Sequence, residues 1–224
     1  MSGKKQKRKY VLRRVKRSSV GKRKPQVSRR RRAMKGRKMR APDGQPERIE
    51  FSNRVEYRLN GKPHRLDGPA IEYSNGDKEW YVEGKLHRLD GPAVELADGT
   101  KEWYVEGNRH RLYGPAIEYS DGDKVWYVDG NLHREDGPAV ESSNGDKCWY
   151  LYNKLHRTDG PAVEWADGGK RWYIDGKEYS EEDFEEKRQE IYKSWLLTNY
   201  AMLQRGTYHP DVSRRLLGFV TGKM

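Results

Sequence analysis

The side chains best suited to chemistry in this chain are an imidazole and a carboxylate that recur together. His64, His87, His110, His133 and His156 each open a segment of the form H-R-x-D-G-P-A, and successive copies stand 23 residues apart. A histidine beside an acid can move a proton, or can ligate a divalent cation through a neutral ring nitrogen. Sharing one ion would require ligand atoms within ~3–4 Å of one another, because each must sit close to the metal. The accompanying acid is Asp67, Asp90, Asp136 or Asp159, but the third copy carries Tyr113 instead. An acid that one copy dispenses with is poor catalytic machinery. The pattern predicts a folding role, in which His and Arg bond the loop carbonyls and pair with the Asp that follows. No catalytic residue, metal site or cofactor is expected.

The elements that hold these residues follow from the rest of the repeat. One unit reads W-Y-V-x-G-x-x-H-R-x-D-G-P-A-V-E-x-x-[ND]-G-x-K-x, anchored by Trp80, Trp103, Trp126, Trp149 and Trp172. It contains two short runs of strand-forming residues, "KEWYVEG"-like and "PAVEL"-like. Asn75–Gly76, Asp98–Gly99, Asp121–Gly122, Asn144–Gly145 and Asp167–Gly168 separate the second run from the next first run, a strong hairpin signal. Gly61, Gly84, Gly107, Gly130 and Gly176, with Asn153 in the remaining copy, mark positions of left-handed backbone.

A fixed short period is the mark of a stacked array. The prediction is an all-β, elongated antiparallel hairpin meander over 49–179 with two strands per unit. At ~4.8 Å per strand the rise is roughly 10 Å per unit, which keeps neighbouring histidines too far apart to share an ion. Alternation predicts Trp80 and Val82 on an apolar face with Ile71, Val94, Ile117, Val140 and Val163. Tyr81 and Glu83 fall on a wet face with Glu72, Glu95, Glu118, Glu141 and Glu164. The in-register Lys78, Lys101, Lys124, Lys147 and Lys170 are expected to balance those glutamates in pairs worth little each. The tyrosines beside the tryptophans are the expected contact surface.

Composition separates this array from what precedes it. The chain has 224 residues, and 33% hydrophobic content against 36% charged residues is too little apolar material for a conventional closed core of that length. Seven Trp and fifteen Tyr suit a thin structure with half-covered surfaces. The single cysteine, Cys148, excludes an internal disulfide and reads as an ordinary strand residue. No apolar run is long enough to span a membrane.

Charge is concentrated in residues 1–40, which hold 20 Lys+Arg and no acid. The whole chain is +12, so the remainder carries −8. The cations are Lys4, Lys5, Lys7, Arg8, Lys9, Arg13, Arg14, Lys16, Arg17, Lys22, Arg23, Lys24, Arg29, Arg30, Arg31, Arg32, Lys35, Arg37, Lys38 and Arg40. Such a segment is expected to be disordered when free and to bind polyanions through counterion release, without reading sequence. Tyr10 alone interrupts the charges as an aromatic, so base stacking is not indicated. A transit peptide is the rival reading, although no amphipathic pattern supports it, and a nuclear localisation signal fits either. Residues 1–48 are thus an arm and linker, ending in "APDGQPE".

Beyond Tyr179 the pattern turns helical. Ser180 is the expected N-cap with Asp183 in the capping-box position, and Phe184, Ile191, Trp195 and Met202 form one stripe up to a stop at Gly206. A second short helix is expected from Pro210 to Gly218. Residues 180–224 would form a helical cap over the open end of the sheet.

The 23-residue unit, with glycines at its turns and W-Y and H-R-x-D-G-P-A anchors, resembles the MORN-like repeats in a divergent form. The resemblance covers 49–179, but "HRxDGPA" stands where that family has "HGxG". It implies stacked hairpins acting as a scaffold or adaptor, sometimes with lipid contacts. The W-Y…H-R-x-D-G-P-A version looks most like repeat proteins of large DNA viruses and bacteriophages, and "YHPDVSRRLLG" is similar to an ending that recurs in giant-virus proteins. The expected function is non-enzymatic: a structural protein of a virion or its internal layer. Its arm would anchor to nucleic acid or an acidic protein surface, while sheet and C-terminal helices would meet capsid or other structural proteins. The alternative is an adaptor in the host nucleus or cytoplasm, with the arm directing it to nucleus, ribosome or anionic membrane. An enzyme is the disfavoured third class, since no Ser/His/Asp set, phosphate loop or carboxylate pair stands out.

Overall fold

The computed structural model describes residues 37–39 and 44–204. The chain divides into two compact units at Lys177–Glu178. The first is an antiparallel β-hairpin meander whose strands follow one another through a single long sheet, as the period predicts. It starts ahead of the repeats. β1 (Arg37–Met39) pairs with β2 (Glu47–Glu50), and β2 pairs with β3 (Arg54–Leu59). Two residues assigned to the basic arm, Arg37 and Lys38, thus lie in the first strand. The other eighteen cations of the arm, and the proposed second C-terminal helix, lie outside the described residues.

A repeat holds four two-residue strands rather than the expected two. After β4 (Lys62–Pro63) and β5 (Ile71–Tyr73), a full repeat supplies β6 (Lys78–Glu79), β7 (Tyr81–Val82), β8 (Lys85–Leu86) and β9 (Val94–Glu95). β5, β6 and β9 are neighbours in the long sheet, whereas β7 and β8 form a hairpin of their own. Trp80 is the hinge between the two: its N–H donates to Ala93 O (2.8 Å) and its carbonyl accepts from His87 N–H (3.1 Å). The small hairpin needs a tight turn in which both central residues have positive φ, and Glu83 (50°) and Gly84 (82°) supply it. The expected left-handed positions are borne out, down to Asn153 at 66°.

Cross-strand register places Glu72 opposite Lys78, Lys78 opposite Glu95, Glu95 opposite Lys101, and so on to Glu164 opposite Lys170. The alternating ladder of carboxylates and lysines is therefore present. Directly opposed residues point to one face, so the residue after each lysine must share the opposite face with Ile71 and its equivalents. That fixes the core: Ile71, Val94, Ile117, Val140 and Val163 lie inside with the glutamates on the opposite face, as expected, but tryptophan and tyrosine exchange faces. The buried cluster contains Ala116, Ile117, Val125, Tyr127, Leu132, Ala139, Val140, Cys148, Tyr150, Val163 and Trp165. Tyr127 and Tyr150 are inside, not on a contact surface, while the anchoring tryptophans are half-buried on the other side. Burial pushes the Cys148 thiol up to about 12.

The core changes character along the array. The position before each tryptophan is Glu79, Glu102, Val125, Cys148 and Arg171 in turn. In the earlier units the Tyr81 hydroxyl donates to Glu79 (3.0 Å), and the Tyr104 hydroxyl (2.7 Å) and Arg109 guanidinium (3.0 Å) donate to Glu102. Burial holds the Glu79 carboxyl above its usual range. In the later units Val125 and Cys148 replace those carboxylates and the tyrosines sink fully inside.

The second unit contains one described helix, α1 (Glu181–Gln204). Its start is as expected: the Asp183 N–H donates to Ser180 Oγ (3.1 Å), and that hydroxyl donates to Asp183 Oδ2 (2.7 Å). Phe184 is fully buried, while Ile191 and Trp195 are half-buried. No helix among the described residues is long and apolar enough to cross a membrane.

Candidate functional site: the repeated His-Arg-Asp interlock

The long loop of each repeat is organised by its arginine. Arg88 lies with its guanidinium 4.2 Å over the Trp80 ring, donates from Nε to Asp90 (2.9 Å), and from Nη1 to Pro92 O (3.3 Å) and Glu95 (3.2 Å). Arg134 repeats the set with Trp126, Asp136, Pro138 and Glu141, and Arg157 with Trp149, Asp159, Pro161 and Glu164. Arg65 does the same over Tyr57, which stands where later units have tryptophan. A cation over an aromatic face is worth about 0.5–1 kcal/mol at exposed sites and more when desolvated. The arginine hydrogen bonds hold Asp67, Asp90 and Asp136 below the usual carboxylate range. The glutamates of the ladder thus take their ion pairs from these arginines, in place of the lysines expected to balance them.

The glycine of D-G-P-A is explained by the same arginine. A Cβ on Gly91 would lie 2.9 Å from Arg88 Cζ, closer than the contact allows. In the third copy, where Tyr113 replaces the acid, Arg111 keeps its bonds to Pro115 O (3.0 Å) and Glu118 (2.7 Å) and its place 3.9 Å over Trp103. The aspartate is dispensable to this arrangement.

The histidines have a different partner from the one expected. His64 Nδ1 accepts from the Glu83 backbone N–H (3.1 Å), His87 from Glu106 (3.2 Å), His110 from Asp129 (3.2 Å) and His156 from Asp175 (3.2 Å). Each donor is the first left-handed residue of the next repeat's small turn, so the ring ties one unit to its successor. The carboxylates of Glu106, Asp129 and Asp175 also lie 2.8–3.0 Å from the same ring nitrogens, so each Nδ1 either accepts from the backbone N–H or, in the Nδ1–H tautomer, donates to the carboxylate.

A second staple was not legible in advance. Asp77 Oδ1 accepts from Ala97 N–H (2.8 Å), Thr100 Oγ1 from Ser120 (3.2 Å), Asp123 Oδ1 from Ser143 (2.8 Å) and Asp146 Oδ1 from Ala166 (2.8 Å). Thr100, Asp123 and Asp146 are buried. The sequence signal is the Asp or Thr that follows four of the five turn glycines, Gly168 being followed by Gly169.

One repeat breaks the rule. At Tyr152–Asn153 the turn carries a bulky residue at φ 46°, and His133 Nδ1 is buried with no hydrogen-bond partner while its ring packs 4.2 Å from Tyr152. A bulky side chain at positive φ costs on the order of 1–3 kcal/mol. Tyr152→Asp, which restores the residue used at Asp129 and Asp175, is expected to stabilise the protein by about 1 kcal/mol, read from the urea midpoint. A lower midpoint would show that the ring contact with His133 outweighs the backbone strain.

Among the described residues no three His, Cys, Asp or Glu side chains gather closely enough to hold an ion. The histidine bonds tie each of these repeats to the next. In comparisons with known proteins, the chain matches no protein-family model and no curated protein.

Proposed function

We propose that this protein is a non-enzymatic structural scaffold of a virus particle. The repeat sheet is a stiff spacer, and the basic arm anchors it to nucleic acid or an acidic protein surface. The observation that carries the scaffold half is the use of the recurring ionisable side chains. The repeated arginines and ladder glutamates, and four of the five repeat histidines, are taken up in contacts that maintain the fold. The fifth, His133, is buried and packed on Tyr152, whereas a group set aside for turnover would be open to its substrate. The viral setting rests on the resemblance of the W-Y…H-R-x-D-G-P-A unit to repeats of large DNA viruses and bacteriophages. The anchoring role rests on the charge of residues 1–40.

Fractionation tests the setting. A structural protein is expected in purified particles at a fixed ratio to the major capsid protein, resistant to a salt wash that strips adhering host proteins. Presence only in infected-cell extracts would overturn the virion reading in favour of an intracellular adaptor.

A further inference from the structure

The third long loop has a hydrogen-bond donor left over. Arg65, Arg88, Arg134 and Arg157 each donate from Nε to the aspartate two residues on. Arg111 meets Tyr113 at that place, and its printed bonds, to Pro115 O and Glu118, both come from Nη1. Its Nε donates to no side chain among the described residues. Charge agrees with this. Arg65, Asp67, Glu72 and Lys78 sum to zero, as do Arg88, Asp90, Glu95 and Lys101, whereas Arg111, Glu118 and Lys124 leave one positive charge.

Beside these arginines runs an apolar row. Leu66, Leu89 and Leu112 occupy the x of H-R-x-D-G-P-A in the first three copies, and they are 79, 80 and 74% exposed. The fold does not require leucine there, because Glu135 and Thr158 hold the same position while Arg134 and Arg157 keep their usual bonds. Each repeat adds two strands to the long sheet, so successive leucines stand roughly 10 Å apart. Exposed apolar patches of this kind mark interaction surfaces. Whatever covers the row has to bring apolar side chains at the period of the array, and an acid beside Leu112.

We propose that the occupant is a second copy of this chain, docked antiparallel about a two-fold axis at Leu89. The period then matches along the whole row. Leu89 meets Leu89 of the second copy, and Leu66 and Leu112 meet Leu112 and Leu66. A two-fold interface is self-complementary and reverses each segment that it joins, so R-L-D runs against D-L-R. Arg88 faces Asp90 of the second copy, and Asp90 faces Arg88. At both ends Arg111 faces Asp67 of the second copy, whose side chain is 83% exposed and gives only Oδ1 to Arg65 Nε. Its other oxygen is the acceptor that Arg111 Nε lacks. Tyr113, 89% exposed, lies over Arg65 of the second copy. The missing acid of the third repeat therefore has a use: it leaves Arg111 open to a carboxylate from outside. Register is fixed too. Sliding the copies by one repeat would press the Glu135 carboxylate onto Leu66 of the second copy, a penalty against the wrong alignment.

The dimer goes beyond the scaffold reading, which is judged on particle composition and stands or falls separately. Its test is analytical ultracentrifugation of the full chain, freed of nucleic acid, over a dilution series. The wild type is expected to pass from monomer to dimer as concentration rises. Leu89→Glu puts two carboxylates on the axis, using a residue that the loop already accepts at Glu135, and is expected to weaken the dimer tenfold or more. Tyr113→Asp gives Arg111 an internal acceptor and is expected to weaken it by a smaller factor. Both variants should keep the wild-type circular dichroism. Disulfide crosslinking reads the orientation, since Cys148 is fully buried. Leu89→Cys is expected to link to itself under mild oxidation, whereas Leu66→Cys and Leu112→Cys link to each other when mixed and not each to itself. A wild type that stays monomeric throughout the series, as it would if the row belonged to a different protein, overturns the proposal. So does a Leu89→Glu variant that dimerises as well as the wild type. A Leu66→Cys variant that links to itself would show parallel pairing and overturns it equally.

Discussion

Tyr127→Ala is expected to destabilise the array by roughly 3–5 kcal/mol, the cost of emptying a fully buried aromatic site. Tyr127 is 1% exposed among Ile117, Val125, Leu132 and Val140. The neighbouring Trp126→Ala is expected to cost less, because its ring is only half-buried, packing on the margin of the cluster with the Arg134 guanidinium 4.1 Å above it. The comparison is the sharp part. Judged by hydrophobicity alone the tryptophan should be the core residue, and judged by register the tyrosine should. Urea unfolding of the two variants, followed by far-ultraviolet circular dichroism, decides between them. A larger loss for Trp126→Ala would mean that the faces have been assigned the wrong way round.

Deleting residues 1–36 is expected to abolish salt-sensitive binding to DNA or RNA while leaving the circular dichroism of the repeats unchanged. The cut removes 17 of the 20 cations of the first forty residues, sparing Arg37, Lys38 and Arg40. A protein that neutralises six to ten phosphates loses about 10³–10⁵ in affinity between 50 and 200 mM salt, so the full chain should show a steep salt slope and the truncated chain almost none. The place of the cut matters. Ending the deletion at residue 40 would also remove β1, whose backbone pairs with Glu47–Glu50, and would confuse lost binding with lost structure. Binding that survives the shorter deletion would refute the arm as the anchor.

The period, the hairpins and the helix start were legible because each is a local rule. Two residues of a turn, a cap and its acid, and a 23-residue repeat carry their own signals. The valine and glutamate faces of the companion strand follow from simple alternation, but tryptophan and tyrosine exchange faces because the position before the tryptophan holds Glu79 and Glu102 as well as Val125 and Cys148 and so hides which side is apolar. Yet the lysine–glutamate register contained the answer: once Lys78 sits opposite Glu72, Glu79 and Tyr81 must share a face with Ile71. The second hairpin of each unit went unseen because two-residue strands are too short to show alternation. At the candidate site, the arginine's pairing with the aspartate was foreseen but not its seat over the tryptophan. The histidine's partner is the backbone of the following unit, a contact across 19 residues that no local pattern announces.

The side-chain hydrogen bonds between units link residues 19 to 22 apart, a little less than one period. Removing or duplicating a block of 23 residues therefore re-forms the same bonds at the seam. The gene can lengthen or shorten this ruler by whole graduations of about 10 Å without inventing a new contact. A copy-number change, rather than a point substitution, is the natural way for such a protein to fit a gap of a different width.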